Sequence, residues 1–101
     1  MADLHIDKIN EVIHGKLRLG VMAYLADASS ATFTELKQAL DVTQGNLSVN
    51  MRKLEDAGYV KVDKRIVGRK PLTTIFITNE GRKALALYIE ALNDLLGGGV
   101  G

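Results

Sequence analysis

Residues 43–60, TQGNLSVNMRKLEDAGYV, decide how this chain is read. Wrapped on a helix, Leu47, Met51 and Leu54 fall at i, i+4 and i+7, one narrow apolar stripe. The opposite face carries Gly45, Ser48, Val49, Arg52 and Lys53, with Gln44 and Asn46 in the first turn. That face is small, hydrogen-bonding and basic, and it meets no acid before Glu55. A merely solvated face usually mixes the two signs, so this one is shaped to lie against something negatively charged. Thr43 is placed to cap the helix N-terminus, and Gly58 stands where a left-handed residue is wanted at its other end.

On the N-terminal side, Thr34 is expected to cap a short helix, ELKQAL, with Leu36 and Leu40 inward. Asp41 and Val42 then make a tight connection into Thr43, so two short helices meet through a brief turn, a helix-turn-helix. Before it, Ser29-Ser30-Ala31 reads as a turn and Ala31-Thr32-Phe33 as a minimal strand with Phe33 inward. Residues 16–28, KLRLGVMAYLADA, are apolar nearly all round, which marks the central packing helix. Residues 4–14 place Leu4, Ile6, Ile9 and Ile13 at helical spacing, and Gly15 interrupts before the next helix.

On the C-terminal side the period changes. YVKVDK at 59–64 and LTTIFI at 72–77 alternate and are rich in β-formers. Between them RIVGRKP, 65–71, reads as a hairpin tip with Gly68 for the turn and Pro71 at the entry of the return strand. Lys64, Arg65, Arg69 and Lys70 make that tip cationic, as in a wing. Thr78 is expected to cap a last helix running to about residue 96, and GGGVG at 97–101 reads as a frayed tail. The apolar stripe of that helix is wider than so small a domain hides, and the N-terminal stripe raises the same question. The expectation is that Ile6, Ile9, Ile13, Leu85, Tyr88, Ile89, Leu92, Leu95 and Leu96 form a homodimer interface.

The fold expected is mainly α with a small β-hairpin (α+β), one domain over 1–101, with N- and C-terminal helices added for dimerisation. Its helix-turn-helix covers about 34–58, its wing about 59–78 and its dimerisation helix about 79–96. Net charge is only +1 but unevenly spread. Residues 1–42 hold four Lys/Arg against six Asp/Glu, 43–83 hold nine against four, and 84–101 hold none against two. A basic middle between acidic ends is what local polyanion binding needs. Without cysteine there is no disulfide framework and no thiolate metal site. The N-terminal residues lack the apolar core of a signal peptide, and no run approaches a membrane span, so the cytoplasm is the compartment expected.

A helix of this kind fits the major groove of B-form DNA. Gln44 and Asn46 carry amides for base edges, Ser48 is a short adaptable partner, and Arg52 reaches guanine or a phosphate. Gly45 permits close backbone approach, and Val49 suits a thymine methyl. Thr34, Thr43, Lys53, Lys64, Arg65, Arg69 and Lys70 are candidates for phosphate contacts, with the wing along the backbone or in the minor groove. Taken singly, Gln44, Asn46 and Ser48 are ordinary capping or solvated residues, and Arg52 and Lys53 could pair with Glu55 and Asp56. Asn50 is expected to bond within the protein, Arg18 to partner a carboxylate, and Arg82 and Lys83 to be surface charges. His5 and His14 lie far apart without a carboxylate cluster, so no metal site is expected. No cofactor is expected either, and the chain offers no Ser/His/Asp set, no paired carboxylates at a shared site and no phosphate-cradling glycine loop that would mark an enzyme.

Three runs carry a family resemblance: GNLSxxxxKLExAGYV, then GRKPLTT at the wing return, then TxEGR at the last helix. The chain resembles the winged helix-turn-helix transcriptional regulators of the MarR/ArsR kind over about residues 5–95, most of all the small stand-alone bacterial and archaeal proteins grouped with them. The resemblance implies homodimers on pseudo-palindromic DNA sites, with Gln44, Gly45, Asn46, Ser48 and Arg52 on the reading helix and Arg69 and Lys70 in the wing. Asn50 stands where many relatives have histidine, so a histidine role is not carried over. The metal-binding cysteines and histidines of the ArsR sensors are absent, so metal sensing is not inherited. The function expected is therefore a homodimeric, sequence-specific DNA-binding regulator, a repressor, with helix 43–57 in the major groove and the 64–71 wing beside it. The rival is a winged-helix module that binds a protein and touches no DNA. A cavity between the terminal helices and the wing domain is where an unknown small apolar effector would sit, although no residue argues for one.

Overall fold

In the computed structural model, which describes residues 5–97, the N-terminal stripe is not a helix. A 3₁₀ turn covers Ile6–Lys8 only. Asn10 then turns the chain: its Oδ1 accepts from the backbone N–H of Val12 (2.9 Å) and Ile13 (3.1 Å), and its amide donates to the Tyr59 hydroxyl (2.8 Å). Such local side-chain bonds compete with a helix and here they prevail. Ile13 is fully buried, Ile9 half-buried and Ile6 exposed. Leu4 and residues 98–101 lie outside the described residues.

Helix α1 (Lys16–Ala28) is enclosed as its composition predicts, with Val21, Met22 and Leu25 fully buried. Arg18, near its start, donates to the Val12 carbonyl and to Asn50 Oδ1, so its partners are neutral oxygens and not the carboxylate expected. Strand β1 (Ser30–Thr32) leads directly into α2 (Phe33–Leu40). The cap of α2 is Thr32, not Thr34. Thr32 Oγ1 accepts from the Glu35 N–H (3.0 Å) while Glu35 Oε1 accepts from the Thr32 N–H (3.2 Å), a reciprocal capping box. Thr34 has Lys37 three residues on and cannot make it. Thr32→Ala is expected to lower unfolding free energy by ~1 kcal/mol, and Thr34→Ala by less than ~0.5 kcal/mol; urea melts of the two variants check this.

Asp41, left-handed at φ 52°, ends α2 and delivers the chain to α3 (Gln44–Asp56). Thr43 caps α3 through its hydroxyl, which accepts from the Asn46 N–H (3.2 Å). Leu47, Met51 and Leu54 are buried on the stripe read from the sequence, and Gly58 closes the end at φ 80°. Strands β2 (Val60–Val67) and β3 (Lys70–Ile77) form an antiparallel hairpin, with β1 on the far side of β3. Val60 pairs with Ile77, Val62 with Ile75, Lys64 with Thr73 and Ile66 with Pro71, and these pairs share one face. Val60 and Ile75 are buried, so it is the inner face. The turn is narrower than 65–71: Gly68 (φ 55°) and Arg69 (φ 71°) alone make it, the left-handed pair that a two-residue hairpin requires. Arg65 and Ile66 therefore belong to the strand.

Helix α4 (Asn79–Leu95) starts at Thr78, whose hydroxyl accepts from the Gly81 N–H (2.9 Å) and donates to the Gly58 carbonyl (2.6 Å). Leu85 and Tyr88 are buried in the same core as Ile13, which corrects the expectation that all three face a second copy. Little of their surface is left for a partner: Ile13 is 0% exposed, Tyr88 3% and Leu85 7%. Arg82 donates to the Ala26 carbonyl (3.0 Å) and to Ser29 Oγ (2.9 Å), tying α4 to the end of α1 rather than standing free.

Candidate nucleic-acid interface

The outer face of α3 is open. Gln44, Gly45, Asn46, Ser48, Val49 and Arg52 are all exposed, while the apolar stripe behind them holds the helix on the core. No acid occupies the first turn of α3, so the positive end of its peptide dipoles is not neutralised there. Facing it, the inner side of the wing completes a groove of about 600 Å³. Gln44, Ser48 and Arg52 form one wall and Lys64 and Thr73 the other, with Met51 and Ile75 at the base. Among the described residues the one salt bridge joins Arg65 to Asp63 (2.8 Å). Arg52 and Lys53 are therefore not paired with Glu55 and Asp56, and Lys64, Arg69 and Lys70 carry no ion pair among the described residues.

The structure sorts the candidates. Gln44, Ser48, Arg52 and Lys64 are brought to one groove, with Arg69 and Lys70 at the wing tip beyond it. Asn46 lies about 200° round the helix from Gln44, turned away from the wing. Lys53 lines a separate cleft with Arg18 and Asp56. Arg65 sits on the outer face of the hairpin, held by Asp63. Asn50 bonds within the protein as expected: its amide donates to the Asn46 carbonyl (2.8 Å) and its oxygen accepts from Arg18.

Two residues of the site escape a reading of the chain alone. Lys37 joins Thr34, Gln44 and Thr73 in a shallow cleft at the mouth of α2, adding a cation to the same side. Glu55 lines the groove on the α3 side and sets an acid near its inner end. Both depend on how α2, α3 and the wing are juxtaposed, which no local spacing reveals. Thr34 and Thr43 are exposed, and Thr43 Oγ1 accepts from the Asn46 N–H as the cap, a role that leaves its own O–H to donate.

Elsewhere, His14 Nδ1 lies 2.9 Å from the Tyr88 hydroxyl, a bond that seats the N-terminal segment on α4. No group of three or more His, Cys, Asp or Glu that could hold a metal ion occurs among the described residues. The cleft between the N-terminal segment and α4 holds about 300 Å³ and mixes Tyr59, Ala84, Leu87 and Tyr88 with Lys8, Asn10, Glu80 and Lys83 in its lining. No described helix is long and apolar enough to cross a membrane.

Comparison with known proteins bears on this geometry. Residues 17–96 match the winged helix DNA-binding domain family. An uncharacterized protein of Methanocaldococcus jannaschii is 34% identical over 85 residues, covering 84% of this chain and 92% of its own. Among solved structures, a transcriptional regulator homologue from Pyrococcus horikoshii OT3 superposes with a TM-score of 0.76 at 31% identity, over 92% of this chain and 97% of its own. A protein assigned to the MarR family of transcriptional regulators, from Enterococcus faecalis V583, gives 0.69 at 32% identity over 93% and 81%.

Proposed function

The chain belongs to the winged helix DNA-binding domain family, and from that premise we propose a homodimer that represses transcription by occupying a two-fold-symmetric operator. It is a DNA-binding regulator of the MarR/ArsR kind and not an enzyme. One observation carries the finer reading: both walls of the groove between α3 and the wing bear cations without a partner among the described residues, beside amide and hydroxyl groups. In this reading α3 enters the major groove, Gln44, Ser48 and Arg52 meet base edges, and Gly45 and Val49 lie against the groove floor. Lys64, Arg69 and Lys70 meet phosphates, joined by Lys37 and Thr34 at the mouth of α2. The rival, a module that binds only protein, has no use for cations left unpaired on two walls of one groove. Cytoplasm is the compartment this role requires.

Pairing of two copies is supported by what the monomer leaves uncovered. Ile6 is 69% exposed, Ile89 48% and Leu96 75%, and Leu87, which the sequence reading passes over, 62%. The chain measures 60 × 25 × 22 Å with a radius of gyration of 15.4 Å, against about 13 Å for a compact chain of this length. An elongated protomer with apolar side chains open on its terminal segments is half of something larger. Ile6, Ile9, Ile89, Leu92, Leu95 and Leu96, with Leu87 added, would form the contact.

Selection of bound sequences from random DNA with the purified protein tests the whole. A pseudo-palindrome is expected, its half-sites ~34–36 Å apart; an unenriched pool or a lone asymmetric half-site overturns the dimeric operator. Transcription in vitro from a promoter containing the recovered site should fall as protein is added, and a rise would replace repression by activation.

A further inference from the structure

Phosphate binding leaves one part of the wing unexplained. On the inner face of the hairpin, outward from the groove, Val62 and Ile75 are followed by Lys64 and Thr73 and then by Ile66 and Pro71. Each of these steps advances ~6.6 Å along the ribbon. Ile66 is 80% exposed, and Pro71 opposite it is exposed as well. An isoleucine and a proline thus form a cross-strand apolar pair, the outermost on the inner face of the ribbon, which continues the surface of α3. Beyond them come the Val67–Lys70 pair, which alternates to the other face, and the two-residue turn at Gly68 and Arg69. Cations bracket the pair, Lys64 behind it on the same face and Arg69 and Lys70 ahead.

We propose that Ile66 and Pro71 are a wedge that enters the minor groove of the bound duplex and opens one base step, bending the DNA. The proposal rests on the DNA-binding reading above. Its occupant follows from charge and continuity. A protein partner would bury the apolar pair in a contact whose centre is depleted of charge, whereas here lysine and arginine without an ion pair among the described residues bracket it. A duplex offers the opposite arrangement, an apolar stack of bases between two rows of phosphate. Isoleucine and proline are among the side chains that unstack a step from the minor groove, kinking the duplex by ~20–90°. Because TA and CA/TG steps part most easily, the wedge would confer a preference at a position that no hydrogen bond reads. The β-branched shape of Ile66 also suits a strand, so the test replaces it without altering strand propensity.

The variant is Ile66→Thr with Pro71→Thr, and the probe is a short duplex carrying the sequence recovered by selection, labelled at both ends for energy transfer. Wild-type protein should shorten the end-to-end distance on binding. The double variant should melt as wild type, bind about tenfold more weakly, the factor that burying one aliphatic side chain carries, leave the duplex as long as free DNA, and keep the wild-type salt dependence. Loss of selectivity for TA or CA/TG steps opposite the wing would support the wedge further. Wild-type affinity and bend in the variant, or a straight duplex under wild-type protein, would overturn the wedge and leave DNA binding standing. So would a change in the variant's oligomeric state without DNA, which would make the pair a contact between copies. A selection that enriches nothing strikes the DNA reading itself, and the wedge with it.

Discussion

Gly81→Ala is expected to destabilise the protein by ~1–3 kcal/mol, at the upper end of that range, although alanine is the better helix former by ~1 kcal/mol. A Cβ built at Gly81 meets the Tyr59 carbonyl oxygen at 2.2 Å, its carbon at 3.0 Å and Ile77 Cγ1 at 3.1 Å. Two of those three atoms are backbone, and the same oxygen accepts from the Thr78 N–H (3.0 Å), so it cannot retreat without loosening the start of α4. The residue also donates its own N–H to the Thr78 cap. Gly45→Ala makes the opposite case. Nothing lies within 4 Å of a Cβ there, so the substitution should stabilise by ~0.5–1 kcal/mol through helix propensity alone. It should nevertheless weaken DNA binding, because in the proposed docking the bases fill the space beside Gly45. Urea midpoints at unchanged slope measure both effects. A higher midpoint for Gly81→Ala would mean that α4 does not approach the hairpin as closely as this, and the glycine of the TxEGR run would lose its explanation.

The contrast between those two glycines shows what the chain discloses locally and what it does not. Both stand in helices, and nothing in their neighbours in sequence tells the crowded one from the open one. α3 is legible because its stripe, its Thr43 cap and its Gly58 terminator all lie within one short run. The hairpin and α4 are legible for the same reason, a change of period with turn residues between. The N-terminal segment is not, because three isoleucines at helical spacing say nothing of the Asn10 side chain that turns the chain between them. The cap of α2 turns on which of two threonines has a glutamate three residues on, a local signal that spacing alone supplies. The α4 stripe is apolar, as its sequence says, but an apolar residue does not say which chain covers it: Leu85 and Tyr88 are covered by their own. In the groove, Gln44, Ser48, Arg52 and Lys64 are individually visible. Arg65 alternates to the opposite face of the hairpin from Lys64, where it pairs with Asp63.

That placement sets the expected outcome of neutralising the wing tip. Arg69→Ala with Lys70→Ala should cut DNA affinity by similar factors on all sequences. The plot of log affinity against log salt should become shallower by about 0.9 for each phosphate no longer neutralised, hence by nearly two if both side chains are used. The fold should not suffer. Arg69 already holds a left-handed φ of 71° with a Cβ present, so alanine adds no strain, and neither residue packs on the core. Arg65→Ala is the internal control: its guanidinium is engaged by Asp63 on the outer face, so the slope should change less. Gln44→Ala should behave differently from all three, altering which base is preferred by ~1–3 kcal/mol while leaving the slope near wild type. The two kinds of residue are thereby separated by measurement rather than by position. A double mutant with the wild-type salt slope would detach the wing from the phosphates. The cations at the turn would then be solvated ends of a hairpin, and α3 with Lys37 and Lys64 would have to hold the duplex without them.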